Sequence, residues 1–290
     1  MSEPKDFALI IGAGKAGTTS LFSYLSQHPE ICAANRKEVN FFSRQWDRGL
    51  DFYLRHWDWR PGRHRIALEA SPGYSNAPAS PGVPERIATL RGRSFRFIYI
   101  LRHPLARMPS HAQQIYFVSR RNNETDAPFA WTDDLFERVL TSSLYAMQLD
   151  AYTAHFDRKD ILILIAEDLR RDADVVLDRT RRFLGLSPFA FDTSQSFNES
   201  GKRHLDNPAW SFLQGIRPIE RVATTLVPRS LRQRIRYAVS PKATGDFGLT
   251  DAQRRLAEAR IIPDLIRLRD EYGVDVERAW NIGLTTAAAS

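Results

Sequence analysis

Residues 9–21, LIIGAGKAGTTSL, constrain this chain more than any other stretch. An apolar run leads through glycines at 12, 14 and 17 into helix-forming residues, which reads as a strand, a tight loop and a helix start. Glycine lets such a loop come close to a ligand, and the N–H groups and dipole at a helix head favour an anion. A glycine turn that binds nothing is the bland alternative; Lys15 followed by Gly17, Thr18, Thr19 and Ser20 makes it the weaker one. The order departs from the nucleotide pattern G-x-x-x-x-G-K-[ST]. Counted from Gly12, Gly17 is in place, but Thr18 comes next and the lysine sits inside the loop at Lys15.

Alternation of elements sets the fold class. Residues 7–11, RIALEASP at 65–72, FRFIYILRHP at 95–104 and DILILIAEDL at 160–169 read as strands, and helices fill the intervals, the first over 18–27. The unbroken apolar run at 95–101 suits a strand covered on both faces. This predicts an α/β fold: a P-loop-like open, mostly parallel sheet with helices on both faces, in a single domain over 1–290 that is helical from about 205. Ligands of such sheets bind beyond the carboxyl ends of the strands, where Lys15, Glu69, Arg102 and Glu167 are placed.

A net charge of +7 suits an anionic partner. The basic stretch RSLRQRIRYAVSPK at 229–242 reads better as a solvated helix face than as a phosphate- or membrane-tracking strip. No nucleic-acid partner is expected, and peripheral membrane contact stays open. One cysteine, Cys32, excludes an internal disulfide and a multi-cysteine metal site, and reads as a buried, inert thiol. No leader and no apolar run of bilayer length is seen, so a soluble, cytoplasmic protein is expected.

A magnesium-dependent phosphotransferase needs a carboxylate at the end of a neighbouring apolar strand. FIYIL ends in Arg102 instead, and Asp168 is expected to cap a helix beginning at Leu169. The site should therefore consist of cations and backbone donors, without a metal. Arg102 and Ser110 form a pair suited to a second phosphate. Arg107 reads as a surface residue, and His103 and His111 as hydrogen-bonded structural histidines. The polar loop at 120–134 is expected to border a pocket. The aromatic cluster Trp46, Phe52, Tyr53, Trp57 and Trp59 reads as core ahead of a stacking platform.

GAGKAGTTSL followed by ILRHPLARMPSH resembles the two cofactor signatures of sulfotransferases that use 3′-phosphoadenosine 5′-phosphosulfate (PAPS). The resemblance is to the bacterial type, similar to carbohydrate and heparan sulfate sulfotransferases. KEVNFFS, EASPGY, SLYAMQLDAY, ILIAEDL before FLGL, and LTDAQRRLAE keep the family's order, so the resemblance spans nearly the full chain. It implies transfer of a sulfuryl group from PAPS to a hydroxyl or amine of a glycan, glycolipid or small metabolite, leaving adenosine 3′,5′-bisphosphate (PAP), without a metal.

Placed on this chain, the resemblance implies that Gly14, Lys15, Ala16, Gly17, Thr18, Thr19 and Ser20 hold the 5′-phosphosulfate. Lys15 would neutralise charge on the bridging oxygen, Arg102 and Ser110 would bind the 3′-phosphate, and Gly201, Lys202 and Arg203 would close on the nucleotide. Glu38 would be the base, in a closed pocket that lifts its pKa toward working pH; a surface salt bridge with Lys37 or Arg36 is the alternative. Lys37, Glu69 and Tyr74 are expected to bind substrate, with Glu69 the competing base or, in preference, a structural residue of its turn. Ser143 stands where glycine is commoner, a change expected to affect backbone more than chemistry. Asn40 and Ala70 stand where some relatives carry histidine and lysine, which points away from heparan-like acceptors. Two rivals remain: a P-loop kinase using ATP and magnesium, and a non-catalytic binder of nucleotide or polyanion.

Overall fold

The computed structural model describes residues 3–194 and 246–284. Gly201, Lys202 and Arg203, the stretch 205–245 and the basic run 229–242 within it lie outside the described residues. Five strands form one parallel sheet in the order β2-β3-β1-β4-β5. β1 (Asp6–Gly12), β3 (Ile66–Ala70), β4 (Ser94–Leu101) and β5 (Ile161–Ile165) match the four expected strands. β2 (Ile31–Ala33) is a three-residue edge strand too short to read from sequence.

From β1 the chain runs outward through α1 (Thr18–Leu25) to β2, then through α2 (Phe41–Arg44) and α3 (Leu50–Leu54) to β3. It crosses back over β1 by α4 (Val83–Ala88) to β4, and reaches β5 through α5 (Pro104–Arg121), α6 (Asp133–Thr141) and α7 (Tyr145–Thr153). The chain leaves β1 toward β2 and leaves β4 toward β5, and right-handed crossovers in opposite directions put their helices on opposite faces of the sheet. The topological switch point therefore lies between β1 and β4, whose following loops carry Lys15 and Arg102. The β1–β4 register slips between Ile10 and Gly12, and Ala13 N then bonds Ile100 O at 2.7 Å.

Several expectations change. β5 stops at Ile165, and α8 (Ala166–Arg171) begins at once. Asp168 is thus inside a first turn and not an N-cap; the capping aspartate is Asp172, which accepts from Val175 N at 3.2 Å ahead of α9 (Ala173–Phe183). The loop expected at 120–134 is shorter, because α5 runs to Arg121 and Thr132 caps α6. Its aromatic residues fold inward: Phe129 meets the Phe247 ring at 4.1 Å, and Trp131 Nε1 donates to Gly248 O at 2.9 Å. The aromatic cluster is core-like, with Tyr53 and Trp57 buried in edge contact and Trp46, Phe52 and Trp59 packed against the core.

Beyond the undescribed stretch, α10 (Asp251–Asp270) opens with a capping box between Thr250 and Gln253. Buried Asp264 on this helix accepts from Ala146 N at 3.0 Å and Met147 N at 2.9 Å, capping α7 from outside. α11 (Val276–Trp280) follows. Among the described residues no helix is long and apolar enough to cross a membrane.

Candidate active site

Backbone geometry shapes the loop after β1. Gly17 is left-handed, with φ 95°, at the head of α1, a conformation that favours glycine. Gly12 is required by space: a Cβ there would overlap Ser75 Oγ and the Tyr99 ring. Lys15 is itself left-handed at φ 70°, which an L residue adopts only when its surroundings hold it. Two arginines do so through carbonyls. Arg107 Nη1 donates to Gly14 O at 3.1 Å and Arg102 Nη1 to Lys15 O at 3.3 Å. Leu21 N, bonded to Gly17 O at 3.1 Å, starts the ladder of α1, and the N–H groups of the first turn precede it. The predicted cradle of Gly14, Lys15, Ala16, Gly17, Thr18, Thr19 and Ser20 is thus one continuous turn into a helix head.

The end of β4 supplies the opposite wall. Arg102 is half-buried, its carbonyl accepts from Tyr145 Oη at 2.6 Å, and burial, then nearby Arg170, lowers its pKa. Ser110 Oγ is buried and has no hydrogen-bond partner among the described residues. Such an orphaned hydroxyl costs free energy unless a ligand completes it. The surface role expected for Arg107 is wrong: the side chain is 1% exposed. It donates to Ser142 Oγ at 2.7 Å and Ser143 Oγ at 2.6 Å besides Gly14 O, so the hydroxyl at 143 is one of its acceptors. His111 stays neutral beside it, since burial and then Arg107 hold its pKa well below the usual value. His103 caps α5, accepting from Ala106 N at 3.4 Å. Both histidines are structural, as expected.

On the β3 side, Glu38 and Asn40 are left-handed at φ 61° and 54°. The end of β3 grips both: Glu38 N donates to Ala70 O at 2.9 Å and Asn40 N to Ser71 Oγ at 3.0 Å. Glu38 is 45% exposed and ion-paired with Lys37 at 2.8 Å, the open salt bridge that stood as its alternative. Glu69 and Tyr74 do not face an acceptor. Glu69 is fully buried and accepts from Tyr53 Oη at 2.7 Å, Ser71 Oγ at 2.5 Å and Tyr74 Oη at 2.8 Å. Burial raises its pKa against those hydrogen bonds. Its role is to fasten the strand end, in place of the substrate contact expected of both residues.

Beyond β5, both carboxylates are engaged. Glu167 accepts from His103 N at 3.3 Å and Trp280 Nε1 at 3.1 Å. Asp168 pairs with Arg278 at 2.9 Å, and that hydrogen bond holds its carboxyl below the usual range. Among the described residues no three His, Cys, Asp or Glu side chains form a metal-ligand set.

A glycine-rich loop at a helix head, a facing arginine and a serine hydroxyl without a partner among the described residues agree with the family comparison, in which residues 5–202 match the sulfotransferase domain. The chain belongs to the sulfotransferase family. This sulfotransferase is 29% identical over 201 residues to human heparan sulfate glucosamine 3-O-sulfotransferase 3B1, covering 67% of the chain and 49% of that relative. It is 27% identical over 205 residues to mouse bifunctional heparan sulfate N-deacetylase/N-sulfotransferase 4, covering 62% of the chain and 22% of that protein. The chain thus spans half or less of the length of these relatives. A solved sulfotransferase from Alicyclobacillus acidocaldarius has the same fold, with a TM-score of 0.62 at 22% identity, covering 97% of this chain and 100% of that one. The sulfotransferase match holds the loop, both walls and β5, while α10 and α11 lie past it.

Proposed function

We propose that this sulfotransferase moves the sulfuryl group of PAPS to a hydroxyl or amine of a glycan, glycolipid or small metabolite. The observation that carries the reading is the bond from Arg102 to the Lys15 carbonyl, which ties the ends of β1 and β4 together at the switch point, with Ser110 Oγ, buried and without a partner among the described residues, on the helix that follows. These residues fit a donor with anionic groups at two places. Gly14 to Ser20 would hold the phosphosulfate, and Arg102 with Ser110 the 3′-phosphate. Bound there, PAPS would supply an activated sulfuryl group and leave as PAP.

The chain's own residues supply positioning and electrostatics. Lys15 donates to the oxygen on which charge gathers as the leaving phosphate separates, and the helix-head N–H groups share that charge. Glu38 accepts the acceptor's proton. A sulfuryl group carries less negative charge than a phosphoryl group, which suits lysine and amide donors in this role.

The heparan sulfate named for the two relatives is a glycan. Asn40 and Ala70 stand where, by the family resemblance, some relatives carry histidine and lysine, and their lack of a positive charge favours a less charged acceptor. Lys15→Ala should lower transfer from labelled PAPS by roughly 10²–10³-fold or more with the circular dichroism unchanged. Full activity in that variant overturns the assignment. Stabilisation by ATP with magnesium and not by PAP would favour a kinase, and stabilisation by heparin alone a polyanion binder.

A further inference from the structure

We propose that Arg107 is a positioning residue whose buried charge, seated behind the anion loop on Gly14 O and Ser142–Ser143, has the bound anion as its counter-ion. The inference rests on the loop being the anion site. Arg107 is among the largest fully buried side chains, yet no carboxylate pairs with it among the described residues. Its acceptors are Gly14 O at 3.1 Å, Val139 O at 3.3 Å, the two serine hydroxyls and neutral His111 Nδ1 at 3.3 Å. All are uncharged, and among the described residues Nε has no partner. Hydrogen bonds of this kind satisfy donors but leave a net charge in a poorly polarisable interior.

The surroundings add positive charge. Burial first, then Arg107, Arg138 and Lys15, lower the pKa of His111; burial first, then Arg170, lower that of Arg102, with Glu167 opposing and Arg107 adding a smaller share. A buried cation among cations is costly in the empty protein and relieved by an anion on the far side of the loop. Arg107 cannot touch that anion, since Gly14 lies between. It acts by holding the carbonyl side of the loop, so that Lys15 and the helix-head amides face outward, and by its field across one peptide unit. A guanidinium is suited to this because it stays charged when buried and fills several acceptors in one plane.

Charge and anchoring separate in two variants of the full chain. Arg107→Lys keeps the charge without the fork, and Arg107→Gln keeps part of the fork without the charge. Titration calorimetry with PAP should find Arg107→Lys within about threefold of wild type and Arg107→Gln weaker by roughly tenfold or more. The Arg107→Lys variant should lose about tenfold in kcat with little change in the acceptor's KM, because the loop is less well held. Arg107→Gln binding PAP as wild type does overturns the proposal while leaving the reading of the loop intact. If Arg107→Gln does not fold, Arg107→Lys decides alone: a loss of about tenfold or more in its PAP affinity overturns the charge role. Wild type that takes up no PAP overturns both readings.

Discussion

Glu69 and Arg107 are buried charges on opposite walls of the switch point, and neither has an oppositely charged partner among the described residues. Glu69 is closed off: three hydroxyls supply donors to its two oxygens, and their parent residues belong to the core. Arg107 is open: its Nε has no partner among the described residues, and its neutral acceptors include the Gly14 carbonyl of the loop after β1. The difference teaches that burial alone does not separate a structural charge from a site charge. What separates them is whether the protein completes the hydrogen bonding of the charged group itself.

The largest expected effect tests the closed wall. Glu69→Ala strands three buried hydroxyls and leaves a cavity, and should cost about 3–5 kcal/mol in urea unfolding. A loss below about 1 kcal/mol would mean that the hydroxyls find other partners and the wall is not closed. Glu38→Gln, at the loop that Glu69 supports, should slow transfer by roughly 10²–10⁴-fold while PAP affinity stays at the wild-type value. An equal loss of PAP binding would merge the two walls into one site and break the comparison.

Asp264 offers a third case, a buried carboxylate whose donors are two amides. Burial outweighs those amides and pushes its pKa up to about 6. The folded protein keeps this proton at pH values where the unfolded chain has lost it. The resulting stabilisation is complete below about pH 4 and disappears as pH rises through about 6, up to about 3 kcal/mol in all. Thermal unfolding of wild type and Asp264→Asn from pH 4 to 7 should show wild type losing stability relative to the variant. Parallel curves would mean that Asp264 is ionised throughout.

The smallest effect tests the open wall at its rim. Ser110→Ala should weaken PAP binding by about tenfold and leave the free protein as stable as wild type or more so, because the orphaned hydroxyl is gone. Loss of stability without loss of binding would give Ser110 a structural role.

What the sequence reveals follows how local each signal is. β1, its loop and β4 are legible because apolar runs and glycines act within a few residues. β2 is hidden because three residues carry no period. Asp168 misleads because α8 starts directly at the end of β5, with no separate capping residue between them. Arg107 looks exposed because arginine usually is, although it shares a helix stripe with the buried residues Pro104, Met108 and Ala112. That spacing was the available signal. The Glu69 network joins residues 53, 69, 71 and 74 across separate elements, which no single stretch encodes.

The contacts from α11 to the end of β5 bear on the order of assembly during synthesis. Trp280 and Arg278 reach Glu167 and Asp168 next to the strand that carries Arg102, so that wall is complete only after residues made long after β5 have emerged. A ribosome-bound chain ending near residue 202 would hold the whole family match and still lack this buttress. For this protein the boundary of sequence kinship and the boundary of the finished site are different places.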